Sequence, residues 1–395
     1  MFKLPFEMGI FSSNKPQLTT IVDIGSSSIG AATVLLYPDK KPKIIASVRK
    51  DMVFQESFRF ERFVISMLET LEKVTQELSH IPVPPHSERT FLCVLASPWY
   101  ASQTRVLKKT FDKSTKIDEN FLNDIHNKEI AAFKEKEMEI MGKDAVILEV
   151  ESIQTKLNGY ETTNPFGKES TDFQTAIYVS ISPHKIIQAI TEKIRKAFHG
   201  KVLHFSSFPF ASFVTIRDIF HEKNFLFMDI SGEVTDISIV RDNVLQETVS
   251  FALGKNFLIR KIVSDVGSTF QEAVSQFHMS SESGMAENDE KKVRKAMEKA
   301  GAEWVAECQT VLSPLVERQE ILPHDAFITA DEDVSNWFIG NVQELENSSF
   351  TMASNTFNVR HLNAPFLSSF CESGTGVERD SFLMAEGLFA KRFIH

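Results

Sequence analysis

Along the chain, short apolar runs alternate with longer segments in which hydrophobic residues recur at helical spacing, the pattern of an α/β protein. Leu18–Tyr37 predicts a strand ending in Ile21-Val22-Asp23, a tight Gly25-Ser26-Ser27-Ser28 turn, and a second strand over Ile29–Leu36. Asp39 to Lys43 form a polar turn before a third strand, Ile44–Val48. Phe63, Met67, Leu68, Leu71, Val74 and Leu78 then mark one face of a helix, which Pro82, Pro84 and Pro85 end. Between Arg89 and Ser182 lies a block with its own pattern. It opens with a strand over Thr90–Leu95, continues as a polar stretch, and reaches Asp118, a cap for a helix bearing Leu122, Ile125 and Ile130. Strands follow at Ala145–Val150 and Ala176–Ile181, and Ser182-Pro183 opens a helix carrying Ile186, Ile190, Ile194 and Phe198.

The first pattern then returns. Phe225–Met228 is a buried-type strand ending in Asp229, and a turn containing Gly232 leads to Ile237–Val240. Arg241-Asp242-Asn243 is a hairpin turn before the strand Val244–Ala252. Strand, Asp-containing turn, strand, hairpin, strand therefore occurs twice, an internal duplication at the level of architecture. Further on, Ser281–Glu290 is acidic and Lys291–Lys299 basic, read as a loop leading into a solvated helix over Lys292–Leu312, with a docking surface as the alternative.

Composition narrows the function classes. The chain has 395 residues, 42% of them hydrophobic and 24% charged, enough for two or three domains with substantial cores. The 34 phenylalanines against 4 tyrosines are read as core filling. A formal net charge of −10 argues against a nucleic-acid footprint. Cys93, Cys308 and Cys371 are odd in number and far apart, so neither a disulfide framework nor a metal clip is expected, which fits a cytoplasmic setting. His204, His221 and His324 stand singly, without ligand spacing. No apolar run approaches the roughly 20 residues of a spanning helix. Apolar Phe2, Leu4, Phe6, Met8, Ile10 and Phe11 leave the tail 1–16 as either a short anchor or a frayed end, so any membrane association would be indirect or through that tail.

Paired Asp-turns suit a specific chemistry. A polyphosphate with Mg²⁺ needs backbone N–H groups and hydroxyls around its oxygens and carboxylates near the metal or its waters. Facing hairpins would place Asp23 and Asp229 near the metal and wrap Gly25, Ser26, Ser27, Ser28, Gly232 and Thr235 around phosphate. One such turn is weak evidence, because an Asp also caps its own turn, whereas two in matching contexts favour a shared pocket.

On these motifs the chain resembles the actin-like ATPase superfamily, in the branch of the cell-division protein FtsA and the pilus-assembly protein PilM. Val22-Asp23-Ile24-Gly25-Ser26-Ser27-Ser28 is similar to the first phosphate motif, and Met228-Asp229-Ile230-Ser231-Gly232-Glu233-Val234-Thr235-Asp236-Ile237 to the second. Leu157–Gly167 falls where the branch has an Asn-Pro-Val-Gly-like turn, Phe251–Lys255 resembles its Gly-Gly segment with Gly254 kept, and Phe327–Asp333 stands at the adenosine motif. The resemblance implies an α/β actin-like fold of two duplicated RNase H-like lobes with a small α+β subdomain inserted in the first. Residues 17–88 and 183–222 would form the first lobe, 89–182 the insert and 223–395 the second lobe. It implies ATP and Mg²⁺ as ligands, with Gly254, Lys255 and Thr329 added to the nucleotide set. It further implies a scaffold that organises division proteins with at most slow ATP hydrolysis, protein partners (FtsZ-like, or an inner-membrane pilus protein), and self-association.

The departures keep other readings open. Ser231, Glu233 and Val234 replace Gly, Gly and Thr; the adenosine segment has no glycine and three acids; and Pro209–Thr215, where a water-orienting Gln or Glu is expected, offers Phe210, Ser212 and Phe213. A PilM-like protein docking a membrane-protein peptide and a nucleotide-free interaction module of the same fold are the alternatives. A sugar or acetate kinase is the enzyme rival.

Overall fold

The computed structural model describes residues 16–83, 89–198, 202–282, 286–318, 322–345 and 357–393. The tail expected over 1–16 lies, up to residue 15, outside them. The chain begins with β1 (Gln17–Ile24), β2 (Ser28–Leu36), β3 (Lys43–Asp51), α1 (Phe60–His80) and β4 (Arg89–Leu95). It continues through β5 (Ala101–Lys116), α2 (Glu119–Lys136), α3 (Met138–Met141), β6 (Val146–Leu157), β7 (Tyr160–Glu161) and β8 (Glu169–Ser182), then α4 (His184–Phe198), β9 (Val202–Ser207) and α5 (Phe208–Phe220). The second half carries β10 (Phe225–Ile230), β11 (Thr235–Arg241), β12 (Val244–Phe251), α6 (Lys255–Ile262), a π-helical turn Val263–Gly267, α7 (Phe270–Glu282), α8 (Glu287–Glu317), β13 (Asp325–Ala330) and α9 (Glu332–Glu344). It closes with β14 (Asn358–His361), α10 (Ala364–Leu367), β15 (Glu372–Ser373), α11 (Ser381–Ala390) and a short 3₁₀ turn, Lys391–Phe393.

The duplication is explicit in the strand order. One sheet runs β15-β3-β2-β1-β4-β9 and the other β12-β11-β10-β13-β14. In both, the first three strands of the repeat pair antiparallel and the fourth joins the first in parallel. The registers match as well: Asp23 stands opposite Gly30 at the end of β1, and Asp229 opposite Asp236 at the end of β10. Both central strands are buried along nearly their whole length, as strands covered on two faces must be.

Each sheet is covered outside by its own helices and inside by a shared layer. α1 and α4 bury Phe63, Met67, Leu71, Val74, Ile190 and Ile194 against the outer face of the first sheet. Between the sheets lie α5 and α11, whose Phe208, Phe213, Ile216, Met384 and Phe389 pack with Ile21 and Val94 of one sheet and Phe225, Phe227 and Phe327 of the other. Fully burying side chains of this size contributes about 1.5–3 kcal/mol each. Much of the phenylalanine excess sits here, and it joins the halves into one apolar body.

Three expectations change. β4 is a main-sheet strand between β1 and β9, so the inserted subdomain is the sheet β5-β8-β6-β7 with α2 and α3. Its strand β5 falls in the segment whose pattern is merely polar, because an edge strand paired on one side has little apolar patterning to show. Residues from 364 onward do not stay with the second sheet: β15 pairs with β3 and α11 packs into the layer beside the first. Finally, α8 is longer than predicted and far from solvated all round, since Val293, Ala296, Ala300, Trp304, Cys308 and Leu312 form a buried stripe. Asp118 caps α2 as expected, accepting from Phe121 N at 2.8 Å.

Candidate functional site

The carboxyl ends of β1 and β10 point their turns at each other between the two sheets. The turns touch. Ser26 Oγ lies 2.7 Å from Ser231 Oγ, a contact between residues 205 apart, and the N–H of Glu233 donates to Ser26 Oγ at 2.9 Å. A Cβ on Gly232 would fall 2.7 Å from Ser26 O and Ser27 N, and one on Gly254 only 2.2 Å from Ser231 O. Glycine is therefore what lets these backbones meet. The N-terminus of α6 is satisfied internally, because Lys255 N and Asn256 N donate to the carbonyls of Ser231 and Gly232 at 2.9 and 2.8 Å. Behind the contact, Asp236 of β11 accepts from Ser97 Oγ (2.9 Å) and Tyr100 OH (3.2 Å), and Trp99 Nε1 donates to Gly25 O at 2.8 Å. What is left between the turns is a cavity of about 20 Å³, lined by Asp23, Ser27, Arg49, Asp229, Ser231 and Asp331. That holds a water molecule or so.

The acids around it have cations from the chain itself. Arg49 Nη2 donates to Asp23 Oδ2 at 2.6 Å and to Asp380 Oδ1 at 3.1 Å, Nε pairs with the same Asp380, and Nη1 donates to Ser28 Oγ at 2.9 Å. Its guanidinium lies so close over Gly30 that a Cβ there would be 2.6 Å from Nη2. Burial works against charge on Arg49, but Asp380 and Asp23 outweigh it and raise its pKa. Burial also raises Asp23 above the usual carboxylate range, with Arg49 pulling the other way. Asp229 is held well above that range by burial and by Asp236, while Thr329 Oγ1, donating at 2.8 Å, opposes the shift. Lys255 Nζ sits 3.0 Å from Asp331 and 2.9 Å from Asp333; burial disfavours its charge, yet the two acids raise its pKa to about 12. Glu386 of α11 is fully buried beside Asp23, and burial and Asp23 push it well up, toward the neutral acid.

A solved structure shares this fold. The chain overlays on a chain of the PilM–PilN type IV pilus biogenesis complex with a TM-score of 0.64 at 14% identity, covering 97% of this chain and 100% of that one. A protein with actin-like ATPase fold and unknown function from Bacteroides thetaiotaomicron is also similar, with a TM-score of 0.40 at 9% identity over 86% of this chain and 91% of that one. The whole-length likeness to the pilus-complex chain carries the fold, and that fold is actin-like. A further similar structure is the ethanolamine utilization protein EutJ from Carboxydothermus hydrogenoformans, with a TM-score of 0.41 at 10% identity over 95% and 88% of the two chains. No family model and no curated protein sequence matches.

Within this actin-like fold, most of the expected site residues gather at one place. Asp23, Gly25, Ser27, Ser28 and Asp229 line the cavity together with Ser231; Ser26 and Gly232 form the contact above it, and Gly254, Lys255 and Thr329 border it. Thr235 is the exception. Its hydroxyl donates to Leu253 O and accepts from Trp304 Nε1, so it faces the core of the second half. Glu233 does not face the cavity either; it pairs with Arg260 and accepts from Asn256 at 2.8 Å. Pro209–Thr215 lies inside α5 and is buried, as are Trp99 and Tyr100. Arg49, Asp380, Glu386 and Arg260 escaped the sequence reading, since each is an ordinary charge in an ordinary element until the fold brings it to the turns.

Mg²⁺ and ATP do not fit this arrangement. The turns that would wrap a nucleoside triphosphate are bonded to each other, and Lys255 pairs with the acids of the adenosine segment. Asp23 is committed to Arg49.

Proposed function

We propose that the chain is a nucleotide-independent scaffold of the actin-like fold, which docks a peptide of a partner protein in a PilM-like role. The observation that carries the first half is the direct bond between the two phosphate-type turns. Supporting it, Arg49, Lys255 and Arg260 already neutralise the acids that a metal and phosphates would otherwise organise. The first half has a direct test. Calorimetric titration of the full chain with ATP and Mg²⁺ should give no binding at protein concentrations near ~100 μM, meaning a Kd weaker than about 1 mM, or 4 kcal/mol. Micromolar affinity would overturn it and restore a nucleotide-gated, FtsA-like scaffold.

The docking half draws on the whole-length likeness to the PilM–PilN complex and on a groove at the opposite end of the shared helices. This groove has a volume of about 530 Å³ and an apolar floor of Val214, Ile219, Phe370 and Leu388. Lys40, Lys41, Lys391 and Arg392 on its rim outnumber Asp39 and Asp218. Its occupant is an extended peptide with apolar anchors and acidic residues, which complements both floor and rim. No described helix is long and apolar enough to cross a membrane, so a membrane-bound partner would supply its own anchor. A photo-crosslinking residue at position 219 should capture, in cells, one polypeptide through an acidic, apolar segment identified by mass spectrometry. Equal capture from position 140, exposed on the inserted subdomain, or a basic captured segment, would refute the groove.

A further inference from the structure

We propose that the inserted subdomain is seated on the N-terminus of α5 by a proton-operated joint at Glu149. Glu149 is on β6, in the insert, yet its partly buried carboxylate reaches the main body. Oε1 accepts from Ser207 N at 3.0 Å, Ser207 Oγ at 2.7 Å and Ser180 Oγ at 3.0 Å, and Oε2 accepts from Ser206 Oγ at 2.6 Å. Ser207 is the residue immediately before α5, and its hydroxyl also meets Tyr178 OH of β8 at 2.7 Å. One side chain thus ties β6 and β8 of the insert to β9 and α5 of the core.

The groups facing Glu149 come from every element at this seam. From β8 they are Ser180 and, through Ser207, Tyr178; from β9 and the start of α5 they are Ser206 and Ser207; from β6 itself it is Glu151, two residues along. Its hydrogen-bond partners are hydroxyls and one N–H, and the charge acting on it is another acid. Two effects compete here. Burial disfavours the carboxylate, while Ser206 and Ser207 stabilise it; burial wins, with Glu151 adding to it, and the carboxyl rises from 4.5 to about 7. A raised acid is held as the proton-bound form in the closed joint. Closure is therefore strongest at low pH, weakens as pH climbs from 4.5 to about 7, and has lost this contribution above that.

The joint also touches the groove. Glu151 pairs with Arg392 on the groove rim at 3.4 Å, and α5 supplies Val214 and Ile219 to its floor. On the docking reading above, a proton at Glu149 would therefore bias peptide affinity.

The test needs no partner and no nucleotide, so its failure leaves that reading standing. Amide hydrogen exchange of the full chain is measured at pH 6 and pH 8 and corrected for intrinsic rates, following Ser207 N–H and β6. With a closed-state value near 7 and an open-state value near 4.5, the opening constant should rise about tenfold between those pH values. Glu149→Gln, neutral and nearly isosteric, should abolish the rise. A wild-type protein without the rise, or a Glu149→Gln protein that keeps it, overturns the proposal. Should that variant fail to fold, Glu151→Gln supplies the second arm: removing the neighbouring acid should lower the closed-state value of Glu149, so that the rise between pH 6 and pH 8 shrinks, and a rise as large as the wild type's refutes the joint as described.

Discussion

Replacing Arg49 with methionine is expected to destabilise the folded chain by about 3–5 kcal/mol at neutral pH, the range found when one partner of a buried ion pair is removed. Arg49 is the cation shared by Asp23 and Asp380, and its side chain is only 22% exposed against 5% and 10% for the two acids. Methionine fills much of the same volume, so the loss reports the charge rather than a hole. The pH dependence gives the interpretation its sign. Asp23 and Glu386 already have raised pKa values in the fold, and without Arg49 they rise further, so ionising them opposes folding more strongly as pH increases. The deficit of Arg49→Met should accordingly shrink toward pH 5 and grow toward pH 8. Urea unfolding of both proteins at three pH values measures it. A loss below about 1 kcal/mol, or one that grows on acidification, would mean that the acids find another cation or are neutral throughout.

Gly254→Ala is expected to cost about 3 kcal/mol, the upper end for overpacking a close-packed site. The added Cβ would sit 2.2 Å from Ser231 O and 2.7 Å from Gly232 O, both backbone atoms of the turn that bonds to Ser26. Nothing flexible can yield, so the second turn must move and the contact across the cleft must loosen. Gly340→Ala provides the control. It lies within α9 with no atom within 4 Å of an added Cβ, and alanine in an open helical position should stabilise by about 0.5–1 kcal/mol. Unfolding midpoints of the two variants should move in opposite directions. A Gly254→Ala protein as stable as the parent would show that the turns are not tightly held together. It would reopen the cleft as a ligand site.

Much of the site was legible because it is written in local patterns. Asp23 and Asp229 each end a buried strand, a glycine or serine turn follows, and the two copies share one pattern, so their convergence followed from duplication alone. Glu233 shows the limit of that reasoning. In the motif it stands only as a replacement for glycine, and Arg260, 27 residues away on α6, reveals it as half of an ion pair. Thr235 shows another. Its place in the motif suggested phosphate contact, but strand alternation turns it away from the cleft toward Trp304.

The sequence by itself determined the α/β class, the repeated strand pattern and the two turns that meet. Periodicity and turn chemistry are short-range properties, and each of these features is built within a few tens of residues. Tertiary structure alone decided that the meeting turns bond to each other. That outcome depends on Arg49 reaching Asp380 across 331 positions and on Ser26 reaching Ser231 across 205, separations at which no local pattern carries information. Charge compensation in a buried site is a matter of a few ångströms in space, so the cations that stand beside these acids became visible only once the chain was folded.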